Sequence, residues 1–95
     1  REELAALDPD NKLRQRDLAV TFERIGDIQS LRGDLESALL SHQASAAIRE
    51  KLAALDPTNM LWQRDLSVSY ERLGDLYLAQ NDFVAALEQQ ERART

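Results

Sequence analysis

The chain repeats itself, and that constrains its fold more than any composition can. Displaced by 48 positions, residues 4–27 (LAALDPDNKLRQRDLAVTFERIGD) fall on residues 52–75 (LAALDPTNMLWQRDLSVSYERLGD) with 17 of 24 identical. Over all 47 overlapping pairs 22 are identical, and beyond Asp27 only Asp34/Asp82, Ala38/Ala86 and Leu39/Leu87 match. Self-similarity at such a period marks supersecondary units that bury their apolar faces against one another. Residues 1–95 therefore read as one domain with repeats over 9–56 and 57–95. Arg1-Glu2 matches Arg49-Glu50, so residues 1–8 correspond to the end of a preceding second helix. The second repeat ends short of its counterpart, and the expectation is a piece excised from a longer array.

Turn chemistry divides each repeat into two helices. Pro9 and Pro57 each follow an aspartate, and the residue before a proline is pushed out of the α region. Helices should stop just before Asp8 and Asp56, with Asn11 and Asn59 as caps of the helices that follow. A second break falls at Gly33-Asp34 and Asn81-Asp82. Glycine and asparagine accept the left-handed conformation that ends a helix, and the aspartate after each caps the next one. The spacing predicts helices over about 11–31, 34–55, 59–79 and 82–95, and a stub over 2–7. Apolar rows support this: Ile48, Leu52 and Leu55 form a helical stripe, and Leu18, Phe22 and Ile25 recur as Leu66, Tyr70 and Leu73. Leu13 and Val20, recurring as Leu61 and Val68, form a second row. Two rows predict a helix contacted from more than one side, as inside a stack.

These residues resemble the tetratricopeptide repeat, whose pattern is aromatic-x2-Leu-Gly-x2-Tyr, then alanine, then proline. The second repeat offers Tyr70, Leu73, Gly74, Tyr77 and Ala86; the first offers Phe22, Ile25, Gly26, Gln29 and Ala38. The resemblance implies an all-α, right-handed helix-turn-helix solenoid, with Gly26 and Gly74 where the two helices of a hairpin cross. The family period is about 34 residues, so the 48-residue period here lengthens each helix by about two turns. His42 and Gln90 stand where the second aromatic is expected, and Gln29 replaces the tyrosine. The match is thus to an atypical, long-helix member, similar to the arrays of large bacterial multidomain proteins.

Composition narrows the function. Twelve basic against 17 acidic residues leave a net charge of −5, which disfavours a nucleic-acid backbone as partner. No apolar run is long enough for a membrane span, and no signal peptide is visible, so a cytoplasmic location is expected. Zero cysteines exclude disulfides and thiolate chemistry. The single histidine, His42, has no second histidine near it, and its position suits a helix interface. An active site would belong to one repeat, yet the paired carboxylates Glu23/Asp27 and Glu71/Asp75 are duplicated. We therefore expect no enzyme, no cofactor and no bound metal.

What the resemblance implies is a protein–protein interaction scaffold. First helices of such repeats line a concave groove, here through Val20, Glu23, Asp27 and Ser30 and their equivalents Val68, Glu71, Asp75 and Leu78. The carboxylates have two readings: neutralised by Arg16, Arg24, Arg64 and Arg72 as a ladder between repeats, or an acidic groove for a basic or amphipathic peptide. Trp62, whose counterpart is Arg14, is expected to pack on the preceding long helix. Arg49-Glu50-Lys51 reads as a solvated helix face. The alternative function is a structural spacer that self-associates head to tail without a ligand, because Thr95 and Arg1 are nearly consecutive in the repeat register.

Overall fold

The computed structural model describes residues 9–94, and every regular element in them is an α-helix: α1 (Pro9–Leu31), α2 (Leu35–Leu55), α3 (Met60–Ala79) and α4 (Phe83–Arg94). The expected stub over 2–7, and the stop before Asp8, lie outside the described residues. Gly33 (φ 83°) and Asn81 (φ 61°) both take the left-handed conformation. At each break the next N–H reaches back to close the helix, Asp34 to the Gln29 carbonyl at 2.9 Å and Asp82 to the Tyr77 carbonyl at 2.8 Å. The same aspartates then accept from the first turn of the following helix, Asp34 from Ser37 N–H and Asp82 from Ala85 N–H.

The starts of α1 and α3 differ. Asn59 caps α3, accepting from Trp62 N–H, but α1 already begins at Pro9, so Asn11 sits inside its first turn and is no cap. Proline suits a first helical position, because its missing N–H would have no partner there. In the turn before α3, Thr58 donates to the Asp56 carboxylate at 2.8 Å.

Successive helices pack against one another and run antiparallel. Gln29 meets Ser41 and Glu23 meets Arg49 between α1 and α2; Gln43 meets Tyr77 and Ala53 meets Gln63 between α2 and α3; Ser67 meets Ala93 and Gly74 meets Gln89 between α3 and α4. Where they cross, the side chains are small. Ala38 and Ala86, the alanines of the repeat pattern, are 0% and 1% exposed, beside Ala19, Ser45 and Ser69. Short side chains let backbones approach, which is how an alanine-rich core can close. The outline is elongated, 42 × 27 × 19 Å with a radius of gyration of 13.8 Å, against about 12 Å for a compact chain of this length.

The repeat supplies an internal control on burial. Leu73 and Leu76 are buried in α3 at 5% and 6% exposure, whereas their counterparts in α1, Ile25 and Ile28, are 41% and 52% exposed. Leu18 is exposed too, whereas its counterpart Leu66 is half-buried. Helix α3 is flanked closely by α2 and α4, whereas among the described residues α1 packs closely on α2 alone and meets α3 only through long side chains. The expectation of contact on more than one side therefore holds for α3 and not for α1. None of these helices is long and apolar enough to cross a membrane.

Candidate functional site

Between α1 and α3 the chain brings together side chains from both repeats. Arg16 Nε meets Asp65 at 2.9 Å, and Arg72 Nη1 meets Asp27 at 2.9 Å; these pairs are 49 and 45 residues apart and so bracket the 48-residue period. Lys12 sits 5.8 Å from the ring centre of Trp62. These contacts place α3 beside α1, parallel to it and in repeat register. They also place the Trp62 ring beneath a lysine of α1, a cation over a π face.

The eight expected groove residues divide into two sets. In the first repeat Val20 and Ser30 are half-buried, and both carboxylates are engaged. Glu23 accepts from Arg49 Nη1 at 2.8 Å and has Arg72 Nε at 3.8 Å. Asp27 holds Arg72 and also the Nε2 of His42, at 3.3 Å. In the second repeat Val68 is half-buried, whereas Glu71, Asp75 and Leu78 are exposed. Among the described residues the carboxylates of Glu71 and Asp75 meet no cation. Of the four arginines of the expected ladder, Arg16 and Arg72 cross between repeats, while Arg24 and Arg64 are exposed. A shallow concavity of about 200 Å³ opens between Asp27, Ser30, His42, Arg72 and Asp75.

Arg49 corrects the expectation of a solvated face at 49–51. It is 5% exposed, and its Nη1 also donates to Ser69 at 2.7 Å and the Asp65 carbonyl at 3.4 Å, so one guanidinium ties α2 to both α1 and α3. Its neighbour Glu50 is exposed and lies near Tyr70, whose pKa is raised by burial first and by that carboxylate second. The local charge pattern hid this, since Arg49 is followed by two charged residues that do face water. The one sequence signal was Arg49's recurrence as Arg1.

His42 occupies the helix interface. It is 3% exposed and lies against Gly26, where a Cβ would come within 2.6 Å of its Cδ2. Burial lowers its pKa below the ordinary 6.5; Asp27 opposes that shift, and Arg72 adds to it. The imidazole is thus held as a neutral, packed ring. At the equivalent place, a Cβ on Gly74 would find its nearest neighbours, from Ala86, Gln89 and Gln90, at 3.5–3.6 Å. Both glycines therefore face the crossing helix, but only Gly26 is tightly filled.

Compared with known proteins, the chain matches no family model, and neither a curated protein nor a solved structure matches it.

Proposed function

We propose that the chain is a tetratricopeptide-like segment, two long-helix repeats of a right-handed solenoid, and that it serves as a scaffold for protein–protein interaction. The observation that carries this reading is the parallel register of α1 and α3, with ion pairs 45 and 49 residues apart across a 48-residue repeat. Side-by-side first helices are what a stack of helix-turn-helix units produces, and they leave one long face open for a partner. On that face Glu71, Asp75 and Leu78 offer two uncompensated negative charges beside an apolar side chain. Glu23 and Asp27 contribute less, because Arg49 and Arg72 already neutralise them. The partner that fits is a basic amphipathic segment, its cations toward the carboxylates and its apolar side toward Leu78.

Fluorescence polarisation of a labelled Lys/Leu amphipathic peptide, titrated with the full chain, tests this. Binding should weaken with added salt and be lost in Glu71→Lys/Asp75→Lys, whose substituted side chains are exposed and leave the helices intact. Equal affinity for wild type and variant would remove the groove from the α3 face.

A further inference from the structure

The interface between the two repeats is a pattern whose unmet halves stand at opposite ends of the molecule. Two rungs cross that interface: Arg16 of the first repeat to Asp65 of the second, and Arg72 of the second to Glu23 and Asp27 of the first. Moved on by one repeat, the same rungs need Arg64 with the residue equivalent to Asp65, and Glu71 and Asp75 with the residue equivalent to Arg72. Those equivalents are Asp17 and Arg24. All five side chains are exposed, and among the described residues none of them has an ion-pair partner. Arg64, Glu71 and Asp75 lie on α3, toward the end of the stack; Asp17 and Arg24 lie on α1, at its start.

Apolar surface follows the same register. Leu18, Ile25 and Ile28 are exposed on α1, at positions where α3 carries the half-buried Leu66 and the buried Leu73 and Leu76. Beside the first half of α3 runs a groove of about 980 Å³ lined by Met60, Leu66, Ser67, Tyr70 and Ala93 among others. In the first repeat the corresponding half of α1 has the 48–55 part of α2 beside it. Residues 1–8 reproduce residues 49–56 at seven of eight positions, so the chain carries a segment of the composition that this groove lacks.

We propose that a second copy of this chain stacks head to tail on the first, with its residues 1–8 in the α3 groove and its α1 alongside α3. Asp17 of the incoming copy then meets Arg64, and its Arg24 meets Glu71 and Asp75. The contact joins unlike surfaces and leaves both outer ends free, so it propagates as an open chain and does not close on a two-fold axis. Because its rungs are solvent-exposed, it weakens with salt. The proposal rests on the repeat register that also underlies the scaffold reading. It goes further in naming the occupant and the residues that select it.

Sedimentation velocity on the full chain over a wide concentration range tests it. Weight-average mass should climb above the 10.8 kDa of one chain as concentration rises at low salt, and fall back at high salt. Arg24→Glu alone should stay monomeric, as should Glu71→Arg/Asp75→Arg alone. An equimolar mixture of the two should associate again, because each variant face then meets a complementary one. Circular dichroism confirms that both variants remain helical. A wild type that is monomeric at millimolar concentration overturns the proposal, as does association that survives either charge reversal or is not regained on mixing. Arg72→Glu separates the two levels of inference. If it leaves the melting temperature unchanged, the register itself is wrong; if it lowers the melting temperature while the wild type stays monomeric, only the stacking fails.

Discussion

Replacing the two hairpin glycines by alanine should move stability in opposite directions, although they are the same position of the same repeat. At Gly26 the added Cβ lies 2.6 Å from Cδ2 and 2.7 Å from Nε2 of His42. Carbon–carbon contact is optimal near 3.5–4.0 Å, so the ring has to retreat by about 1 Å. It has little freedom to do so, being 3% exposed and held at Nε2 by Asp27. Overpacking of this kind costs about 1–3 kcal/mol, and the better helix propensity of alanine returns about 1 kcal/mol. The net loss is about 1 kcal/mol, or a fall of roughly 4–8 °C in Tm for a domain of this size. At Gly74 the nearest atoms are 3.5 Å away or more, which is ordinary contact, so only the propensity term remains. Gly74→Ala should therefore raise Tm by a few degrees, whereas Gly74→Leu, which overfills the crossing, should lower it. The assay is thermal melting by circular dichroism at one fixed, low protein concentration, because self-association would make Tm concentration-dependent. A double-mutant cycle isolates the cause. In His42→Gln, which copies Gln90 of the second repeat, Gly26→Ala should cost less by about 1 kcal/mol. Equal shifts at the two glycines, or no coupling to His42, would refute the steric argument.

The pH dependence follows from the same ring. Since the folded pKa of His42 is lowered from 6.5, the unfolded chain takes up the proton first as pH falls, and the stability present above pH 6.5 is progressively lost below it. Melts between neutral and mildly acidic pH should show this loss in the wild type, reduced in His42→Gln, and an NMR titration of the single histidine should give a midpoint below 6.5. At Arg49, removing the guanidinium strands Glu23 and Ser69 at the meeting of three helices. Arg49→Met should cost about 3 kcal/mol in urea denaturation, and Glu23→Gln in that background should recover part of it. A loss no larger than that of Lys51→Met on the exposed face would contradict the burial of Arg49.

What was legible in the sequence was what local backbone chemistry decides. Gly33, Asn81 and the aspartates after them announce their breaks, because left-handed φ and capping oxygens depend on a few consecutive residues. Ala38 and Ala86 were legible as close approaches because their separation from the glycines is the same in both repeats. Asn11 misled because a cap depends on where the helix begins, and α1 already begins at Pro9 whereas α3 begins only after Asn59. Arg49 misled for the opposite reason. Its environment is assembled from Glu23, 26 residues before it, and Ser69, 20 residues after it, so nothing in its immediate neighbours distinguishes it from Lys51.

The carboxylates show why the functional face was the hardest part to read. Glu23 and Glu71 sit in identical sequence settings, each followed by arginine, and so do Asp27 and Asp75, each preceded by glycine. Yet the first of each pair is neutralised and the second faces water. Glu23 is held chiefly by Arg49 of its own repeat, whereas Asp27 owes its partner to the next repeat along, because Arg72 reaches back from the second repeat to the first. Such a side chain is structural when a further repeat unit follows and available when none does. Charge on this face therefore depends on which helices pack beside it. Any surface that ends with Glu71 and Asp75 open favours whatever brings an arginine to them, a peptide or a second copy, and a stacked copy and a bound peptide must compete for the same two groups.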